Sequence, residues 1–500
     1  MLIYNKMIAK KSLILFFIII LFLFPILKYF SINSSIFDLG VFQYQISNLS
    51  IYGLGFVHFQ PFQVLYSLIY LEYFLIISQV FFVLLSIYYI IKLDNKNVTL
   101  YVFVFLLSYF VWYNILFDFH YDHLSILFMF MFFYFIKEKK YKSALFISVL
   151  VSLIKEPFAL VTSFMGLYMI VKSKQYLKGS LLFIYGLIYF YIVTNYVIPF
   201  FTPEYVIVGN ESNALFGNGG SLFDIALYPI THFKEFVIDI IATKKIIYLL
   251  ALFTAFGIVV VFFSPLELIP AIPPLAIAML SNIENYYWYN THYTAPLVAP
   301  FMVAFIYGFP RFVQFCNQYI KYLDTQKKVI TVVFIPIILS HVIFSPSPLS
   351  RFFWINKLPQ YHYSVYIPSQ RNKIIKEAIL KYIPKDKNIS VSSQNSLNLG
   401  YLAQKKYYFA FPQGAIIDAD VLYIDDINFI NLMKYLIKQD NSIVKSKKEK
   451  ADYVTIDFNK PLYLMDKNVN KEKFMKVVDK MKKDYGLVYE YNGFYIYKKI

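Results

Sequence analysis

Run after run of apolar residues, long enough to cross a bilayer, fixes the class of this chain before any motif is weighed. A helix needs about 20 consecutive apolar residues to span a hydrocarbon core, and 13–30 is the first such run. Hydrophobic residues make up 59% of the 500 and charged residues only 15%. No soluble packing hides that much apolar surface, so the expected fold is an α-helical polytopic membrane protein in contact with membrane lipid. The formal charge of +17 then reports lysines in cytoplasmic loops and contacts to anionic headgroups, not a nucleic-acid surface. A single cysteine, Cys316, leaves no partner for an internal disulfide and no Cys-based metal site.

The sequence divides near Pro346. Residues 1–345 carry the apolar runs and read as a polytopic transmembrane domain with an outer-face cavity. Residues 346–500 contain no run of membrane length and read as a soluble extracytoplasmic α/β domain. Eleven crossings are expected, at 13–30, 73–91, 98–117, 124–136, 143–154, 158–171, 180–200, 246–263, 268–281, 294–309 and 329–344. Two of these, 143–154 and 158–171, are short and fit either two tilted helices or one re-entrant hairpin. The proline-rich stretch 265–274 is expected to be a broken helix. Residues 58–71 are expected to lie as a helix near the outer interface, ending at Glu72, because a charge at mid-membrane depth costs about 2.5–3.5 kcal/mol.

Orientation follows from the lysines. Lys6, Lys10 and Lys11 precede the first run and place the N-terminus in the cytoplasm of a cell-membrane protein. That run reads as a retained anchor, since no small-x-small cleavage site follows it. With eleven crossings, the N-terminus and segments 92–97, 137–142, 172–178 and 310–328 share the cytoplasmic side and hold 16 of the 21 basic residues of 1–345. The loops around Asp38, 118–122, Glu156, 204–239 and 284–292 then fall outside, with the C-terminal domain.

Those outer loops carry the conspicuous polar residues. Asp38, a few residues past the first run and followed by Gln43 and Gln45, is placed to act as a general base on a substrate hydroxyl, or else to cap a helix or sit in a solvated loop. Asp118, His120, Asp122 and His123 fall within six residues. They suit a cavity lining or a polar turn, and His120 with Asp122 or His123 supplies donors that a divalent metal takes, although ligands adjacent in sequence make an awkward shell. Lys155 and Glu156 must pair with each other, line a wet cavity or bind a headgroup. His292 and Tyr293 follow an aromatic belt that needs no function of its own.

Taken in order, Phe37-Asp38-Leu39-Gly40, His58-Phe59-Gln60-Pro61, Gln79, Asp118-Phe119-His120, Lys155-Glu156, His292-Tyr293-Thr294-Ala295-Pro296, Pro300 and Gly308 resemble the predicted-membrane-protein family known as domain of unknown function 2079. The resemblance covers most of residues 30–310 and continues weakly through 391–394, 411–412 and 451–454. That family in turn resembles the polytopic glycosyltransferases of the C fold type, which use polyprenyl-phosphate-linked sugars on the outer face and carry a catalytic acid in the first outer loop. The resemblance implies inverting transfer of a sugar to an unidentified acceptor, with Asp38 as the catalytic residue. His58, Gln60, Asp118, His120, Asp122, Lys155, Glu156, His292 and Tyr293 would bind substrate, with Lys155 or Lys28 helping to hold the lipid phosphate, and a divalent metal would be an optional cofactor. Rival readings are a transporter or flippase of a lipid-linked or small polar solute, and a non-catalytic scaffold. The C-terminal part, with β-rich runs at 388–394, 406–411, 421–424 and 453–458, helical stretches at 426–438 and 471–483 and an Asn492-Gly493 hairpin turn, reads as an acceptor- or partner-binding module.

Overall fold

Out of water, a backbone is satisfied only by its own helical ladder or by a closed sheet, and the apolar runs accordingly form helices. The computed structural model describes residues 2–48, 58–69, 73–201, 222–242, 244–355, 358–416, 450–460 and 471–500. Among these, five helices are long and apolar enough to cross a membrane: Ser12–Phe30, Phe74–Leu93, Tyr176–Phe200, His292–Tyr319 and Gln326–Phe344. A sixth span is made if Val98–Leu107 and Tyr109–Leu116, which meet at a 55° bend, are counted as one. The remaining apolar helices, His123–Lys137, Tyr141–Ser152, Phe158–Ser173, Lys245–Ala255 and Pro265–Leu280, are shorter. At 1.5 Å per residue the 15 residues of His123–Lys137 reach about 22 Å, short of a hydrocarbon core.

Several elements differ from expectation, each for a local reason. The run 98–117 is not one straight helix; it breaks at Ser108. Trp112 Nε1 donates to Leu106 O at 2.7 Å and His341 Nδ1 lies 2.7 Å from Leu107 O, so the carbonyls freed by the break are met by side chains. The run 246–263 is likewise interrupted: the helix stops at Ala255, Gly257 and Ile258 take φ of 80° and 54°, and a 3-10 turn, Val260–Phe263, follows. The prolines of 265–274 do break the helix, giving a 3-10 segment Pro265–Ala271 before Ile272–Leu280. Among the described residues of 58–71, only Phe62–Ser67 is an α-helix; residues 70–72, Glu72 among them, lie outside the described residues, as do 210–212, 421–424 and 426–438.

Helices Phe158–Ser173 and Tyr176–Ile192 approach most closely through small residues. A Cβ at Gly186 would stand 2.4 Å from Ala159 O, and one at Gly166 would stand 2.6 Å from Gly179 O, the kind of backbone approach that membrane helix pairs exploit. The core between the other helices is aromatic, with Trp112, Tyr109, Tyr113 and Phe110 fully enclosed.

The C-terminal part holds a five-stranded sheet of β1 (Ser390–Ser393), β2 (Tyr407–Ala410), β3 (Tyr453–Asp457), β4 (Tyr485–Tyr491) and β5 (Phe494–Lys499), in the order β2-β1-β3-β5-β4. The strands β2, β1 and β3 are parallel, while β5 pairs antiparallel with β3 and β4. Asn492 and Gly493 take positive φ, 45° and 79°, as the hairpin turn requires. Helix Lys471–Met481 covers one face and helix Gln370–Tyr382, which the sequence pattern did not suggest, covers the other.

Candidate active site

Four helices begin where the first one ends. Phe74–Leu93, His123–Lys137, Phe158–Ser173 and the span from His292 each bring an N-terminus, with its unsatisfied N–H groups and positive dipole end, toward Lys28 in the last turn of the first helix. Carboxylates are the groups such a place favours, and Asp38, Asp118, Asp122 and Glu156 collect there.

Asp38 sits in a single π-helical turn, Ile36–Gly40. His120 Nε2 stands 3.6 Å from Asp38 Oδ1, just beyond direct hydrogen-bond length. The other ring nitrogen of His120 is 3.1 Å from Asp118 O; a carbonyl only accepts, so Nδ1 carries the hydrogen and Nε2 presents a lone pair to Asp38. The His120 ring stacks on His292 with centroids 3.5 Å apart and planes 13° from parallel, and His292 in turn lies against Tyr293 and Phe117. Burial, partly offset by Asp122, lowers the His120 pKa to about 4, so the ring is neutral. Burial together with the neighbouring Asp118 charge pushes Asp38 up to about 7, against the opposing pull of Lys28 and Ser35.

The supporting contacts are tight. Lys28 Nζ pairs with Asp118 Oδ1 at 3.0 Å and donates to Leu116 O, while Asp118 Oδ2 accepts Ser35 N–H at 2.6 Å. Lys155 Nζ contacts Asp122 Oδ1 at 3.3 Å and lies over the Tyr293 ring. Glu156 holds His58 Nδ1 at 2.5 Å and accepts Phe59 N–H, which turns His58 Nε2 away from it. Gln79, a lone amide in an apolar helix, donates to the carbonyls of Asn114, Ile115 and Phe117 and accepts His120 N–H, fixing the turn that carries Asp118 to Asp122. Side-chain exposure is 17% for Asp38, 13% for His120 and 25% for His58, against 8% or less for Lys28, Asp118, Asp122, Lys155 and Glu156. Asp38, His120 and His58 are thus the more exposed edge of the cluster.

Nine of the ten residues singled out from the sequence therefore meet in one network spanning positions 38 to 293. Gln60 is buried beside Phe59, and its backbone carbonyl receives Gln63 N–H; among the described contacts its side chain takes no part. The metal suggestion does not fit: Asp122 is held by Lys155, His123 Nδ1 meets His120 O, and among the described residues no three His, Cys, Asp or Glu side chains converge on a metal position. Ser35 and Asn114 carried no signal in the sequence, being common polar residues whose partners lie 83 and 180 positions away.

The profile of the family described as predicted membrane protein, DUF2079, matches residues 28–496. The chain belongs to this family. No curated protein and no solved structure matches it. The match of this DUF2079 chain spans both the helical part and the sheet, so the segment carrying Asp38 and the strands at the far end of the sequence fall within one family unit.

Proposed function

We propose that this DUF2079 protein is a membrane glycosyltransferase resembling the C fold type, moving a sugar from a polyprenyl-phosphate carrier to an acceptor hydroxyl at the outer face of the cell membrane. The observation that carries the reading is the placement of Asp38, partly exposed and raised to about 7, beside a neutral histidine whose lone pair faces it. A base works best when its pKa lies near the operating pH.

In the proposed step Asp38 takes the proton of the acceptor hydroxyl as the acceptor oxygen bonds to the anomeric carbon. The bond from that carbon to the carrier phosphate breaks, and the polyprenyl phosphate leaves with the electron pair. The acceptor hydroxyl gives its one hydrogen to Asp38 Oδ1, and His120 Nε2, which presents a lone pair, would take a hydrogen from a neighbouring hydroxyl of the substrate. Lys28 already spends donors on Asp118 and Leu116 O, so the phosphate falls to Lys155, whose ammonium has three donors and uses one on Asp122. The rings of His292 and Tyr293, in contact at 4.1 Å between centroids, would give the sugar an apolar face. No step is routed through a metal.

In this reading the eleven apolar segments all cross or enter the bilayer, the N-terminus is cytoplasmic, and residues 346–500 form an outer domain. The deciding experiment is an assay of sugar release from polyprenyl-phosphate sugars by the purified protein. Release that disappears in Asp38→Asn supports the reading; equal release by both proteins, or none from any such donor by the native one, overturns it.

A further inference from the structure

In an open sheet with parallel strands, ligands bind outside the carboxyl ends of the strands, where neighbouring connections leave toward opposite faces. Here that point lies between β1 and β3. The connection after β1 packs through Leu397 and Leu402 on the face covered by Gln370–Tyr382, and the helix after β3 packs through Phe474 and Val478 on the other face. The crevice is lined by residues 394–398 and 457–460.

That crevice is filled by the chain itself. Asn395 O accepts Ile36 N–H at 2.9 Å, and Ser35 Oγ meets Asn395 Oδ1 at 3.0 Å. Lys460 Nζ donates to Ile32 O and, at 2.8 Å, to Asn33 Oδ1, capping the first helix where Ile32 takes φ of 54°. Asn398 Nδ2 donates to Gln43 Oε1 at 3.1 Å, and a Cβ on Gly40 would stand 2.9 Å from Asn398 Oδ1. Ile32 and Ile36 are buried in the sheet's own core. Every one of these contacts falls on residues 32–43, the stretch that carries Asp38.

We propose that the C-terminal sheet is the positioning element of the Asp38 turn, with Lys460 and Asn395 as its positioning residues, its ligand crevice given over to gripping that stretch rather than to an acceptor. Ser35 links the two sides: its hydroxyl is held by the sheet while its N–H is held by Asp118. This concerns where Asp38 is held and stands or falls apart from sugar transfer.

The test reads Asp38 directly. Asp38 is faced by Asp118 and His120 of the 117–122 turn, Lys28 of the first helix, and Tyr293 and Tyr361. The full-length protein in lipid nanodiscs is treated with dicyclohexylcarbodiimide, which reacts with protonated carboxyls, and the adduct on Asp38 is followed by peptide mass spectrometry from about pH 5 to about pH 9. The native midpoint is expected near about 7. Lys460→Met and Asn395→Ala should each lower it by about one pH unit or more, because a released turn takes on water and leaves the field of Asp118. Midpoints unchanged in both variants overturn the proposal. Should either variant fail to fold, Ser35→Cys with Asn395→Cys in a Cys316→Ser chain decides: a disulfide that forms and leaves the native midpoint in place supports the grip, and failure to form one overturns it.

Discussion

Asp38 holds its proton at a pH where an exposed aspartate has long since lost it, and this makes two measurable differences. Turnover in the proposed reaction needs the ionised form, so it should rise with pH around about 7, and Asp38→Asn, which keeps the shape and removes the base, should lower it by roughly 10²–10⁴-fold. Stability runs the other way. Between about pH 4 and about pH 7 the folded chain binds a proton that the unfolded chain has released, so the fold weakens as pH rises across that window. The asparagine variant cannot ionise. Its melting temperature should match the native protein near pH 4 and exceed it above pH 7; a constant difference at all pH values would remove Asp38 as the titrating group. At this scale much was legible, because a charge or imidazole stands out in an apolar sequence. The partners were not legible: Lys28 with Asp118, and Lys155 with Asp122, follow from which helix ends converge.

Element boundaries were legible where turn chemistry and composition agree, as at Pro157 before Phe158–Ser173 or Asn492-Gly493 between the two strands of the hairpin. The break at Ser108 was not, since Leu106, Leu107, Ser108 and Tyr109 contain neither proline nor glycine; the break depends on Trp112 close by and on His341, which is 234 positions from Leu107. His341 Nδ1 faces that carbonyl while Nε2 is 2.6 Å from Ser347 Oγ, so the ring serves as donor on one side and acceptor on the other. Replacing it by phenylalanine keeps the ring and strands the Leu107 carbonyl. His341→Phe should cost about 1–3 kcal/mol, read as a lower melting temperature in detergent, and an unchanged value would mean the break needs no partner. The glycine contact is tested in the same way. Gly186→Leu puts a side chain where Ala159 O and Ser163 stand and should separate the two helices at a cost of about 1–3 kcal/mol, whereas Leu187→Ala, on the exposed side of the same helix, should be close to neutral.

The whole molecule has two unlike ends. The helices that begin at the Asp38 cluster run to basic residues: Lys92 at one, Lys137 at the next, whose Nζ donates to Lys92 O at 2.8 Å, then Lys172, paired with Glu267 at 2.8 Å, and Arg311, which donates to Phe263 O. Nine other lysines follow in the turns after these helices or at the helix starts just beyond them: Lys96, Lys139, Lys140, Lys142, Lys174, Lys178, Lys321, Lys327 and Lys328. A bilayer with anionic lipid on its cytoplasmic side favours holding such an end inward, and the proposed orientation, with the cluster and the sheet that grips its first turn on the outer side, rests on this argument. Lysine placement in the sequence gave this asymmetry, whereas the grip itself joins residues more than 350 positions apart and left no pattern to find. Cys316, the natural choice of reporter, is buried and would resist a thiol reagent on either side. The test is therefore made in a Cys316→Ser chain with Tyr322→Cys, at a position 82% exposed on the basic end, or with Lys387→Cys, exposed on the sheet side. In intact cells an impermeant maleimide should label the Lys387→Cys protein and leave the Tyr322→Cys protein unmodified until the membrane is opened, and the reverse pattern would turn the molecule over and place the cluster in the cytoplasm, away from any outer-face donor.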